Sequence, residues 1–504
     1  MRIDRLAARA ATTVSIPATV PQGAFTVNPS FPGVSFELST FSLYAQTSPT
    51  DASANQYSIN LISEVAKRTG GRPLIRVGGD TGDSVAWDAT QTAPIVPAPG
   101  TTATGTLTIG PQFWPLTQLL SPANVLWMPQ ISYLDTKYTD ANEAAQSIMS
   151  GIGTANLGAI EIGNEPNLYS GGDPTAATAQ DFADRFQAIA ANITEAAAIP
   201  RCVSFAGPDI GSEVTAAWSM QDIFESSTFD ATGNIGYATD HWYRCVGGPC
   251  TIPDLMSHAN MVADTAKHIA PVAAFFSTYK DPQGRAVPYY LDEINIQTGG
   301  TANQTVAFSF GTALYGTDFM LYLMSLGVSA VNWEQVYSSL QNVWQPSTSA
   351  TMAGQTKNIY YALITAAEFI GTSGSTKVVE VAPGGGNDGT TFSSYVAYDN
   401  DAPARVALVN LNYWDTSLGT SRPNPVVAVE GIPSSVSSVT VKYLTNPGGA
   451  AQDADDTTFG GSQWTFASLG AEVENVQSTT VVVPVSGGVA QVPIPYSAVA
   501  IVYL

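Results

Sequence analysis

Ala159-Ile160-Glu161-Ile162-Gly163-Asn164-Glu165-Pro166-Asn167 and Tyr289-Tyr290-Leu291-Asp292-Glu293 share one pattern, a short apolar run that stops at a carboxylate. Runs of this length, apolar on both faces, suit strands buried in a parallel sheet. Six more such runs lie at Gly33–Ser39, Leu74–Gly79, Val125–Ile131, Cys202–Gly207, Ile235–His241 and Val328–Trp333. Between several of them the period becomes helical. Gln56–Thr69 places Ile59, Ile62, Val65 and Ala66 on one face and stops at Gly70-Gly71, a natural C-terminal cap. Asp181–Ala198 and Thr305–Leu326 are the other clear cases. Eight strands with intervening helices suggest a (β/α)8 TIM barrel over residues 33–375. A doubly wound open sheet fits the same alternation. The first strand-to-helix turn carries no dinucleotide fingerprint, and no Gly-rich phosphate loop occurs.

After residue 376 the texture changes. Lys377–Val381, Ser394–Asp399, Arg405–Leu411, Pro425–Val429, Ser438–Leu444, Thr479–Val485 and Val499–Leu504 are short, rich in β-branched residues and separated by Gly, Pro and Asn. That spacing predicts an antiparallel β-sandwich over residues 376–504. Thr12–Val20 is also strand-like, and residues 12–32 are expected to add an N-terminal strand to that sandwich. The fold class is therefore α/β plus all-β. Residues 1–11 carry Arg2 and Arg5 with no apolar segment behind them and read as a disordered leader. Ala8-Arg9-Ala10 looks like the tail of a cleavage site, so the signal peptide is expected to be incomplete.

A chain of 504 residues exceeds what one core usually serves, which agrees with two domains. With 19 basic and 41 acidic residues the net charge is −22, a field that repels nucleic acid and anionic membranes. No apolar run reaches the length of a membrane span. No metal, organic cofactor or obligate protein partner is implied. The low-charge surface rich in Gly, Ser, Thr and Pro is of an extracellular style, and sequons at Asn192 and Asn303 fit secretion and glycosylation. Cys245 and Cys250 bracket Val-Gly-Gly-Pro, a loop that permits a tight return, so a local disulfide is expected there. Cys202 lies in an apolar run and reads as a buried thiol.

In a barrel, functional side chains gather at the C-terminal ends of strands. Glu165 follows the fourth run and Glu293 ends the seventh. Glycoside hydrolysis needs one carboxyl to protonate the leaving oxygen and a second to attack or to activate water; a separation of about 5–5.5 Å gives retention, and a wider one inversion. Each group also has a structural reading. Asn-Glu-Pro alone could merely shape a turn, and Glu161, inside the strand, is expected to be structural. Asp292 adjoins Glu293, but strand alternation aims only one of them into the barrel mouth; Glu293 is chosen, with Asp292 as the alternative. Glu334, near the end of the eighth run, is a third candidate. Trp333 is expected as a pocket floor, because aromatic faces pack on sugar C–H surfaces; an ordinary core Trp is the other reading.

Together, Ile162-Gly163-Asn164-Glu165-Pro166-Asn167, Gly207-Pro208-Asp209-Ile210-Gly211 and Glu293 followed by Gly299-Gly300 resemble glycoside hydrolase family 79, which contains heparanase and microbial and fungal β-glucuronidases. Arg76-Val77-Gly78-Gly79 with Asp83, His241-Trp242-Tyr243, Gln335-Val336-Tyr337 and Tyr360-Tyr361-Ala362-Leu363 are similar to further family segments. The resemblance implies Glu165 as acid/base and Glu293 as nucleophile. It implies Asn164 on the sugar 2-hydroxyl, Glu37 on other hydroxyls (or, structurally, as partner of Arg76), and Tyr243 or His241 orienting the nucleophile or lining the pocket. Gln335 would also face substrate, and the backbone N–H groups of Gly299 and Gly300 would hold a uronate carboxylate. Two departures stand out. Thr298 replaces a Tyr common before the Gly pair, and Ser212 and Glu213 stand where heparanase has basic residues. The expectation is a secreted, retaining exo-β-glucuronidase acting on small or plant-derived glucuronides, including the 4-O-methylated sugar, rather than on heparan sulfate. A β-glucosidase-like enzyme and a catalytically silent carbohydrate-binding protein are the alternatives.

Overall fold

The structure, a computed structural model, describes residues 12–48, 51–97, 107–134, 138–169, 176–196, 203–211, 218–247, 250–298, 303–385 and 387–504. Eight parallel strands, β1 (Pro32–Glu37), β2 (Leu74–Gly78), β3 (Leu126–Ile131), β4 (Ala159–Ile162), β5 (Ser204–Ile210), β6 (Ile235–Val246), β7 (Tyr289–Thr298) and β8 (Ala330–Gln335), close in sequence order. All eight apolar runs became strands. Closure is made where β8 pairs with β1, Trp333 opposite Val34 and Glu334 opposite Ser35, so the open-sheet alternative falls.

The barrel interior follows from the period-two alternation of strand side chains. Leu74, Met128, Ala159, Ala206, Tyr290 and Ala330 form a separate apolar cluster at the N-terminal ends of their strands. Two residues further along, the same inward face presents Arg76, Gln130, Glu161 and Asn332, all buried. An apolar floor therefore carries a polar layer, and the C-terminal mouth inherits its charge. β6 and β7 run on beyond the mouth as a pair, with Cys245 opposite Gln297 and Val246 opposite Thr298.

Helix α1 (Gln56–Thr69) has the predicted bounds. The Asn55 side chain accepts from the N–H groups of Tyr57 and Ser58, and Gly70 at φ 68° returns its N–H to Ala66. The second predicted helix is α2 (Ala179–Ala196). The third divides into α3 (Gln304–Ala307) and α4 (Phe310–Leu326). The N–H groups of Phe310 and Gly311 bond the carbonyls of Gln452 and Ala450, so a segment from the C-terminal region holds the start of α4.

The C-terminal strands are β9 (Lys377–Glu380), β10 (Phe392–Asp399), β11 (Ala402–Asn410), β12 (Val426–Glu430), β13 (Ser438–Thr445), β14 (Thr480–Ser486), β15 (Val489–Pro493) and β16 (Ala498–Tyr503). β14 joins the two layers, its first part paired with β13 and its end with β15. β15 is absent from the sequence reading. Its signal was Gly487-Gly488, both at positive φ, the two-residue turn that joins hairpin strands. The strand Thr13–Ser15 pairs with β12 in parallel, as an added edge.

One layer of this sandwich is buried on both faces. Val406, Leu408, Ala498, Ala500 and Val502 face the sandwich core, while Ala407, Val409, Val499 and Ile501 join the cluster that contains α4 and the barrel helices. Each fully buried large aliphatic side chain contributes about 1.5–3 kcal/mol. The second domain thus uses one sheet twice and is welded along the barrel flank. No helix among the described residues is long and apolar enough to cross a membrane.

Candidate active site

At the mouth lies a cavity of about 400 Å³ lined by Glu37, Asp80, Glu165, His241, Tyr243 and Glu293, with Thr298, Glu334 and Trp242 completing its walls. Glu165 follows β4 at φ 47° and ψ 48°, left-handed backbone that a non-Gly residue adopts at a cost of about 1–3 kcal/mol. Its N–H bonds the Asp209 carbonyl at 3.0 Å, which holds the residue there. Gly211 leaves the room, since a Cβ at that position would lie 2.5 Å from the Glu165 carboxyl carbon. Glu293 comes from β7 and is 9% exposed. Glu165, His241 and Glu293 each present one polar atom within 4.8 Å of the others, so two carboxylates distant in sequence converge.

Arg76 organises the polar layer beneath them. It is fully buried and contacts Glu161 through Nε at 2.8 Å, Asp209 through Nη2 at 2.8 Å and Glu293 through Nη1 at 2.6 Å. The Asn164 side-chain oxygen accepts from the same guanidinium at 2.8 Å, and its Nδ2 donates to Asp80 at 3.1 Å. Glu161 has the structural role expected of it. Glu37 is not the partner of Arg76: it accepts from the backbone and hydroxyl of Thr81 and faces the cavity.

His241 lies between two carboxylates, Nδ1 at 2.9 Å from Glu165 and Nε2 at 3.0 Å from Asp209. Burial would lower its pKa, but Asp209, Glu293 and both hydrogen bonds outweigh that and hold it well above the ordinary value. The ring is an imidazolium donating from both nitrogens. Asp209 is kept below the usual carboxylate range: burial opposes this, and the charges of Arg76 and His241 prevail. Tyr243 donates to Glu293 Oε1 at 2.7 Å. Glu293 is likewise held low; burial raises it, and His241, Arg76 and the Tyr243 hydroxyl bring it down. Glu293 is thus an ionised carboxylate at the cavity wall. Two trios, Glu165/His241/Glu293 and Asp209/His241/Asp292, have the proximity of a ligand set. Both depend on His241, whose two ring nitrogens are already engaged by Glu165 and Asp209.

Three expectations need correction. Asp292 and Glu293 were assigned to opposite faces, yet both reach the interior. The pairing of β6 with β7 shifts between Asp240 and His241, so Leu291 faces Asp240 while Glu293 faces His241. Asp292 is the extra residue of that irregularity and lies 3.8 Å from both Arg76 and His241. It is wholly buried beneath the cavity, and burial with the charges of Asp209 and Glu161 drives its pKa well up, leaving a neutral acid. Trp333 is not a pocket floor: it is fully buried and its ring packs beside Gly316 of α4, on the outer face of β8. Alternation gives the cavity Glu334 instead. Gln335 is also turned away, its side-chain oxygen accepting from the Val343 N–H at 2.5 Å.

Thr298 lines the cavity at the end of β7, while Gly299, Gly300, Ser212, Glu213 and Cys202 lie outside the described residues. Cys245 and Cys250 are joined by a disulfide, and Val246 within that loop is a cavity residue. Asn303 is exposed and caps α3. Asn192 sits within α2, where it accepts from Asn142 at 3.3 Å. Asp209 is a site residue to which the sequence alone assigns no role. Its signal was the Gly207-Pro208-Asp209 segment at the end of a predicted strand, where barrel function collects.

Fold and pocket together place this chain among the barrel glycoside hydrolases. Residues 394–501 match the glycosyl hydrolase family 79 C-terminal beta domain. It is 27% identical to a beta-glucuronidase of Aspergillus niger over 541 residues, 98% of this chain and 95% of that one. A beta-glucuronidase of Neurospora crassa is 24% identical over 87% of this chain and 82% of its own length. A solved 4-O-α-L-rhamnosyl-β-D-glucuronidase of Fusarium oxysporum superposes with a TM-score of 0.80 at 20% identity, covering 98% of this chain and 100% of that one.

Proposed function

We propose that this enzyme hydrolyses β-D-glucuronides from their non-reducing ends with retention of configuration, with Glu293 as nucleophile and Glu165 as acid/base. The observation that carries the reading is the approach of the Glu165 and Glu293 carboxyl oxygens to within 4.8 Å. That suits the separation of about 5–5.5 Å for covalent attack and leaves no room for the interposed water of an inverting enzyme. Glu293 attacks the anomeric carbon as Glu165 delivers its proton to the departing oxygen. Water then enters, gives a proton to Glu165 and releases the sugar from Glu293. Tyr243 and Arg76 keep the nucleophile ionised, and His241 fixes the Glu165 carboxyl beside the scissile bond. The two beta-glucuronidases similar to this chain support the sugar class. The extracellular style of the surface supports secretion, with Asn303 as the accessible glycosylation site. A β-glucosidase-like activity is the second reading, favoured by the five carboxylates that line the cavity.

The test follows nitrophenyl β-glucuronide, its 4-O-methyl derivative and the matching β-glucoside, with the anomer first released read by proton NMR. The β-anomer is expected first, and α-anomer first would refute retention. Glu165→Ala should lose several orders of magnitude on an alkyl glucuronide and far less on a nitrophenyl one, whose leaving group needs little protonation. Equal losses would remove Glu165 from the acid role.

A further inference from the structure

The cavity poses a problem of charge for the sugar proposed above. Glu37, Asp80, Glu165, Glu293 and Glu334 line it, and among its described lining residues there is no Lys or Arg. Of the two histidines in the lining, His241 is engaged with Glu165 and Asp209, and His268 with Asp240 at 2.8 Å. Arg76 lies below, committed to Glu161, Asp209 and Glu293. A uronate anion entering this space needs a donor that is not a cation.

Glu334 has the required placement. It comes from the inward face of β8, is 2% exposed and lines the cavity, and its Oε2 has no hydrogen-bond partner among the described residues. The groups that act on it are Glu293 of β7, Glu37 and Ser35 of β1, and Arg76 of β2, while Tyr44 and Tyr243 feel its charge in turn. Of these only Arg76 favours an ionised carboxylate by its charge.

We propose that Glu334 is the residue that selects the charge of the sugar, standing in the cavity as a neutral carboxylic acid whose O–H donates to the carboxylate of a bound uronate. This rests on the glucuronide reading. Burial, then the neighbouring Glu293 and Glu37 charges, hold Glu334 well above the ordinary carboxylate range, which supplies the proton. One proton is then shared between two carboxylates in a charge-assisted bond, and no covalent bond changes. A neutral sugar gains no such bond, so the same residue separates glucuronate from glucose.

Calorimetric titration of glucuronate and of glucose into the full-length wild type, Glu334→Gln and Glu334→Ala, from pH 4 to 9, tests this. Wild-type affinity for glucuronate should fall by about tenfold per pH unit once Glu334 ionises, with no matching fall for glucose. Glu334→Gln, which keeps a donor and cannot ionise, should lose that slope. Glu334→Ala should weaken glucuronate at least tenfold more than glucose. A flat wild-type profile to pH 9, an unchanged slope in Glu334→Gln, or equal weakening of both sugars in Glu334→Ala would overturn the assignment. Nitrophenyl glucuronide turnover by wild type separates the causes. Turnover with any of those results removes only the role of Glu334, whereas a wild type that neither hydrolyses the glucuronide nor binds glucuronate removes the glucuronide reading with it.

Discussion

Replacing Tyr243 by Phe deletes one hydroxyl and leaves the ring in place. That hydroxyl donates to Glu293 Oε1 at 2.7 Å, a hydrogen bond to an ionised carboxylate in a buried site. Such a bond contributes about 1.5–3 kcal/mol, which corresponds to about 1–2 pKa units. Glu293 is held below its ordinary value, and Tyr243 is one of the groups that hold it there. Tyr243 itself is driven well up, first by burial and then by the Glu293 charge, so it keeps its proton across the working range. Losing the donor must therefore raise the pKa of the nucleophile. The acidic limb of kcat/KM for a nitrophenyl glucuronide should move up by about 1–2 pH units. At a pH on the old limb the variant should be about ten- to hundredfold slower, recovering as pH rises. An acidic limb that stays in place, or a loss equal at all pH values, would refute the idea that Tyr243 acts by stabilising the Glu293 carboxylate.

Two further outcomes concern stability. Arg76→Met leaves Glu161, Asp209 and Glu293 buried without their shared cation and should cost about 3–5 kcal/mol, as for breaking any buried ion pair; denaturant unfolding that shows less than about 1 kcal/mol would contradict the assigned role. His258 joins barrel to sandwich through Asp318 at 2.9 Å and Glu380 at 3.1 Å. Burial would lower its pKa, yet those two carboxylates raise it to about 10. A raised value means stabilisation that is full below about 6.5, the unfolded value, and lost as pH rises through about 10. Between pH 7 and 10 the wild-type Tm should fall more steeply than that of His258→Gln, and parallel curves would dispose of the coupling.

The alternation of apolar runs and helical stretches, the change of texture near residue 376 and the two carboxylates at predicted strand ends were legible because each is local. Periodicity needs only neighbours, and a capped helix such as Gln56–Thr69 announces both its ends. The hairpin strand Val489–Pro493 carried an equally local signal in Gly487-Gly488 and was passed over.

What tertiary structure alone decided concerns direction and company. Whether eight strands close or stay open depends on β8 meeting β1, a pairing between opposite ends of the first domain. One shifted register between β6 and β7 brought Glu293 inward beside Asp292, against simple alternation; burial then holds Asp292 neutral, while His241, Arg76 and Tyr243 keep Glu293 ionised. Trp333 points outward while Glu334 reaches the cavity, because one residue along a strand is a change of face. The chain carries its charges as a list; their pKa values, and hence their chemistry, belong to distances that exist only once Arg76, His241 and the carboxylates share one desolvated space.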